Sequence, residues 1–166
     1  QAAGVPEGHT IDTVVPNLPV YLTLAQAMKD QLLAVGLNLE IRPVDPVQTA
    51  PIFYVQQSGD ALISVFGGRA DPAQLLGSLF TAGPIQNPGG QTTPAVAELV
   101  AAANAPGDQS ERAGAQQAAS AEILEEALNT VVYHTMVPLA YHDNVVGVQS
   151  WLGGQPELRG VGIAAC

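Results

Sequence analysis

Cationic side chains are scarce in this chain. One lysine and four arginines stand against fifteen acidic residues, for a formal charge of −10 at pH 7. Nucleic acid is excluded as a partner, because phosphate binding needs clustered cations to release counterions. Anionic membrane surfaces are disfavoured for the same reason. The excess of acid reads first as a solvated surface. Cysteine is nearly absent: Cys166, the last residue, has no second thiol for an internal disulfide or a metal site. That usage is compatible with an exported protein without demonstrating export. No apolar run approaches the roughly 20 residues a spanning helix needs. The chain opens "QAAGVPEGHT" with no methionine and no signal-peptide pattern, so it is expected to be a processed product or a piece of something longer.

What is present is enough to fold. Of 166 residues, 47% are apolar, which suits one compact domain, residues 1–166, with its own core. "TIDTVV", residues 10–15, is β-branched and stops at Pro16, as a strand would. "VYLTLAQAMKDQLLAVG" then places Leu24, Met28, Leu32 and Val35 at helical spacing, with Gly36 set to end the helix in a left-handed cap. "LNLEIRPV" alternates, with Leu37, Leu39 and Ile41 on one side. Strand, helix and strand in that order predict a βαβ unit with parallel strands and a right-handed crossover. "PVQTAPIFYVQQSG" reads as a second helix, weakened by Pro51, and "DALISVF" as a second crossover strand. The fold class is therefore α/β, a small mixed sheet built on βαβ units with flanking helices.

The second half predicts helices with clear starts. Asp71-Pro72 and Thr93-Pro94 each pair a capping residue with a proline at the first turn. Asp108 and Glu111 form a capping box, opening a helix whose apolar stripe runs through Ile123, Leu124, Leu128, Val131 and Val132. "VPLAYHD" and "VVGVQ" then read as short strands added at the sheet edge.

Catalytic and metal motifs were sought and not met. There is no G-x-S-x-G elbow, since "LLGSLF" has the wrong spacing, and there is no P-loop. "GGRADP" follows a strand and precedes a helix but lacks the third glycine of a dinucleotide fingerprint. His9, His134 and His142 do not match a zinc spacing, and no carboxylate pair takes acid and base roles from spacing alone. No catalytic residue, metal ligand or cofactor is assigned.

One turn stands out. In open parallel sheets, ligands gather beyond the carboxyl ends of the strands. Gly67, Gly68, Arg69 and Asp71 follow the strand ending at Phe66, and the "PNLPVY" loop brings Asn17 and Tyr21 toward the same edge. Glycines let a ligand approach the backbone, and free amides at a helix start favour an anionic group. Alternatively Arg69 pairs with Asp71 or faces water, and the glycines only shape the turn.

Five stretches in order resemble one family. "AAGVPEGHTIDTVVP", "AQAMKDQLLAVGLNLEIRPVD", "VFGGRADPAQLLGSLF", "DQSERAGAQQAASAEILEEA" and "VPLAYHDNVVGV" resemble the second lobe of family 5 extracellular solute-binding proteins, the peptide- and nickel-type receptors of ABC importers. The resemblance implies the carboxyl-terminal lobe of a type II periplasmic-binding-protein-like fold. Its implied partners are a small or peptide-like solute, the first lobe of the same protein and an ABC permease in the membrane. Its implied location is extracellular or periplasmic, as a lipoprotein in the full-length form. "RGVGIAAC" would be where the chain turns back toward the absent lobe. Peptide binders of the family carry an aspartate three residues before the Asp-Pro acid, where it meets the ligand's amino group. That position is Gly68 here, followed by Arg69, which implies a ligand other than a free-amine peptide, with Arg69 on a polar or anionic part of it. Two other classes stay open on the residues alone: a small α/β enzyme with loop-borne groups such as His142 and Asp143, and a ligand-sensing regulatory domain.

Overall fold

The computed structural model describes residues 4–136, 138–150 and 156–164. Cys166, and with it the end of "RGVGIAAC", lies outside the described residues, as do Ala2 and Ala3 of the leading motif and Val137 of "VPLAYHD". The described residues form two compact units, one of residues 4–66 and 83–90, the other of 67–82 and those from 91 onward.

The first unit is built around its first strand. β1 (His9–Pro16) lies between β2 (Leu37–Val44) and β3 (Ala61–Leu62), parallel to both. Helix α1 (Pro19–Leu33) makes the crossover from β1 to β2, as the sequence pattern predicts. Gly36 adopts φ +82° in the turn that follows, the left-handed conformation glycine takes without penalty. Val15 and Ile63 are buried with Ala25 of α1, and Tyr21, Leu22, Leu24, Met28 and Ile41 close around them. Val35 leaves the expected stripe and is exposed, because the helix ends two residues before it. Pro43 falls inside β2, which tolerates it because β2 has β1 on one side only among the described ladders.

The predicted second helix is broken at the proline. α2 (Pro46–Ala50) is capped by Asp45, whose side chain accepts from the Val47 amide at 2.9 Å. From Pro51 to Val55 the chain widens into a looser turn, with the Gln56 amide donating to the Pro51 carbonyl five residues back. Pro51 has no N–H to continue the α-helical ladder, so the hydrogen bonding re-forms in this wider register. The expected strand "DALISVF" is short. Ladder bonds hold Asp60 through Ile63 to β1, and the residues from Ser64 to Ala70 are exposed.

The opposite face of β1 is closed by the loop before β3. Arg42 lies 3.0 Å from the Asp12 carboxylate and donates to the Ser58 hydroxyl at 3.0 Å, while Asp60 accepts from the Asp12 amide at 2.9 Å. Gly59 sits between these anchors at φ +109°, and a Cβ there would meet Val14 Cγ2 and Arg42 Nη2 at 2.8 Å each. Val14 is fully buried beneath this loop.

The second unit is a three-helix cluster of α3 (Pro72–Phe80), α4 (Pro94–Asn104) and α5 (Gln109–Glu125). All three predicted starts form: Asp71 accepts from the Ala73 amide, Thr93 from Val96, and Asp108 with Glu111 completes a capping box. Phe80, Val96, Val100, Ala119 and Ile123 make the core. The apolar stripe expected to run on through Leu128, Val131 and Val132 is cut short. Ala127 takes φ +51°, its amide donates to Leu124 and the Leu128 amide donates to Ile123. This is a Schellman termination, with Leu128 folding back against the core that holds Ile123. Val131 and Val132 lie past it and are exposed.

The strands expected at the sheet edge do not join the parallel sheet. β4 (Val145–Val146) pairs antiparallel with β7 (Gly162–Ile163), and β5 (Gln149–Ser150) with β6 (Pro156–Glu157), in ladders of their own. The described residues of "VPLAYHD" form no strand.

Two substitutions test these constraints by chemical denaturation. Gly59→Ala is expected to cost about 1–3 kcal/mol, because backbone on both sides of the glycine is pinned and the new methyl overpacks Val14. Ala127→Gly is expected to stabilise by about 0.5–1 kcal/mol, since it removes the left-handed penalty at the end of α5.

Candidate functional site

Two sets of residues near the expected position can be described, one in each unit. In the second unit, Gly67, Gly68 and Arg69 are exposed, and Asp71 is half-buried at the start of α3. Neither Gly67 nor Gly68 has a positive φ, and a Cβ on either would meet nothing within 4 Å. Neither backbone conformation nor packing within the chain demands a glycine here. Arg69 makes no ion pair or hydrogen bond among the described residues, whereas Arg42, Arg112 and Arg159 each have an acidic neighbour.

Of the two alternatives for Arg69, the pair with Asp71 does not form, and the exposed side chain fits the other, facing water. Asp71 is engaged elsewhere: one carboxylate oxygen takes the Ala73 amide at 3.1 Å and Gln116 Nε2 at 3.3 Å, and the other is paired with Arg112. The Ala73 backbone bond first, and then the Arg112 guanidinium, hold the Asp71 carboxyl below its usual range. Asn104 of α4 adds a second tether, donating to the Ala73 carbonyl at 3.3 Å and to Val100 at 2.9 Å. The start of α3 is thus clamped by α4 and α5 together, which fixes where the glycine turn ends. Arg112 is the residue that sequence reasoning missed. Its signal is its place four residues after the capping Asp108, in the first turns of α5.

In the first unit, Asn17 and Tyr21 stand where the chain leaves β1. Asn17 is exposed, with its amide donating to the Val44 carbonyl at 2.7 Å. Tyr21 lines a pocket of about 240 Å3 at the carboxyl ends of β1, β2 and β3. Pro16, Leu18 and Leu62 provide apolar wall, Pro46 and Ala50 of α2 another, and Tyr21, Thr49, Tyr54 and Ser64 carry hydroxyls. Burial raises the Tyr54 phenol above its ordinary range, so the ring is neutral at physiological pH. The Thr49 hydroxyl donates back to the Asp45 carbonyl at 3.3 Å. Thr49, Tyr54 and Ser64 were not singled out from sequence. The rule that ligands gather at strand carboxyl ends applies equally to the loop after β2, and "PVQTAPIFY" could have been found by extending it there.

His142 and Asp143 are exposed in the turn before β4, where the His142 carbonyl accepts from the Val145 amide. Among the described residues no three His, Cys, Asp or Glu side chains gather closely enough to hold a metal ion. Among them, too, no helix is long and apolar enough to cross a membrane.

No family model matches the sequence, and neither does any curated protein. Solved structures do match the fold. The clavulanic acid biosynthesis oligopeptide binding protein 2 superposes with a TM-score of 0.81 at 19% identity, over 99% of this chain and 32% of that one. A dipeptide binding protein from Pseudoalteromonas sp. SM9913, in complex with Met-Leu, gives 0.70 at 17% identity, over 98% and 34%. The periplasmic EDTA-binding protein EppA gives 0.57 at 21% identity, over 69% and 21%. The chain thus has the α/β fold of the matching part of these binding proteins. Across eight of the solved chains it resembles, this chain spans between 21% and 56% of their length.

The Asp71 clamp has a pH signature. A carboxyl lowered in the folded state stabilises at pH values above its unfolded pKa of about 4, and that stabilisation is lost as pH falls through the folded value. Thermal melts between pH 2.5 and 6 are expected to show a steep acid limb in the parent. Asp71→Asn keeps an acceptor for the Ala73 amide but loses the charge facing Arg112, and is expected to flatten that limb. An unchanged acid slope would show that the clamp contributes nothing electrostatic.

Proposed function

We propose that this chain is the carboxyl-terminal lobe of a family 5 solute-binding protein, the receptor component of an ABC importer. It would hold a small solute against a first lobe and hand it to a membrane permease. The observation that carries the reading is the glycine turn at residues 67–69. It is open, unstrained and flanked by an arginine without a partner, on a chain whose fold matches solute-binding proteins over most of its length. Glycines that nothing within the chain requires suit a surface where another molecule comes close to the backbone. The Asp71 clamp supplies the rigid base such a surface needs, and Asp71 serves as a positioning residue. Gly67, Gly68 and Arg69 would meet the solute from this unit.

The ligand class follows from the charge at the turn. With Gly68 where peptide binders of the family carry an amine-recognising aspartate, a free amino group has no counter-charge, and Arg69 offers one to an anion. The fold is not confined to peptides, since EppA binds the polyanion EDTA. A two-lobed receptor obtains affinity by burying its ligand on both sides and excluding water, so one lobe alone should bind weakly. The full-length form is expected outside the cytoplasmic membrane, held there by a lipid anchor.

The reading is tested by thermal-shift screening of the longer protein that carries this lobe, with the 166-residue chain in parallel. A specific solute stabilises the native state with the logarithm of its concentration over Kd. An anionic solute should stabilise the longer protein strongly and the lobe alone hardly at all. Arg69→Ala should weaken binding by about tenfold, the scale of one charge-assisted contact. Equal stabilisation of the isolated lobe would mean a complete site within this chain, and would favour an enzyme or sensor over a receptor half.

A further inference from the structure

The pocket at the carboxyl end of the parallel sheet has a chemistry of its own. No lining residue carries a formal charge, and burial pushes the Tyr54 phenol further from ionisation. A charged group entering it would lose water and find no counter-ion. The walls are not uniformly apolar, however. Among the described residues the hydroxyls of Tyr21, Tyr54 and Ser64 have no hydrogen-bond partner in the chain, so three polar atoms line a small cavity otherwise made of proline, leucine and alanine. Its volume of about 240 Å3 is below the roughly 300–1,000 Å3 of pockets that enclose a whole drug-sized ligand. It is the size for one ring or branched group. The Tyr54 ring is itself braced, packing edge-on against Phe53 with centroids 5.2 Å apart.

We propose that this pocket is a subsite for an uncharged, ring-sized group bearing a hydroxyl or similar hydrogen-bonding atom, an inference that rests on the receptor reading above. The tyrosine rings contact the apolar body of the group. The unpaired hydroxyls replace its water on the polar edge.

The test uses the 166-residue chain and three probes of similar size: phenol, benzoate and benzylamine. Amide chemical shifts are followed by NMR titration. Phenol is expected to move the resonances of Tyr21, Thr49, Tyr54 and Ser64, with both charged probes at least about tenfold weaker. Ala50→Leu and Ser64→Leu each fill the pocket from a solvent-exposed position and should each weaken phenol by fivefold or more. The proposal is overturned if phenol leaves those resonances unmoved, if benzoate or benzylamine binds as well, or if both filled variants bind phenol as the parent does. The two readings separate in the longer protein. A solute whose affinity falls with Arg69→Ala but not with Ala50→Leu would sink the subsite and leave the receptor standing. Phenol seated in the pocket of a protein that captures no solute would do the reverse.

Discussion

The second unit is organised by a single carboxylate. Asp71 ends an exposed turn, caps α3 through the Ala73 amide, and accepts from Arg112 and Gln116 on α5. A helix start leaves backbone donors unsatisfied, and an aspartate meets one of them while its charge suits the positive end of the helix dipole. The same charge faces a guanidinium more than forty residues away in sequence. One side chain therefore sets a local boundary and a long-range contact at once. The core of Phe80, Val96, Val100, Ala119 and Ile123 assembles behind it.

The first unit depends on a comparable convergence at β1. This strand is paired on both edges and covered on both faces, by α1 on one side and by the Gly59 loop on the other. Thr13, Val14 and Val15 are almost completely buried as a result. Parallel strands buried on both faces read as continuous apolar runs, and "TIDTVV" has that character toward its end. Because all three strands point the same way, their carboxyl ends form one rim, and the pocket lies there. Its composition follows from what surrounds a rim: prolines that stop strands, the first turns of α2, and the widened turn that Pro51 forces.

The few cations of the chain are mostly taken up by these two constructions. Three of its four arginines have acidic neighbours, and Arg42 and Arg112 are drawn into the framework itself. Arg69, at an exposed turn, has no acidic partner among the described residues. The neutral pocket in the first unit offers a different chemistry, apolar surface with scattered hydroxyls.

Local signals carried much of this structure. β1, α1 and β2, the left-handed turn at Gly36, and the starts of α3, α4 and α5 were all legible, because each rests on backbone physics confined to a few neighbouring residues. The apolar spacing through Val131 and Val132 misled for the opposite reason. Periodicity says which face would be buried if the helix continued, and Ala127 ends it by adopting a conformation that alanine rarely takes. The late strands were found, but their partners were not, since pairing is chosen by distant chain segments. So too with the candidate site: the glycine turn stood out by composition, while the Asp71–Arg112 pair and the tyrosine pocket became visible only when separated segments were brought together. Sequence alone determined where elements begin and what charge is scarce. Tertiary structure decided which arginines are paired and which one has no partner among the described residues, because an ion pair depends on distances that the chain's order does not encode locally.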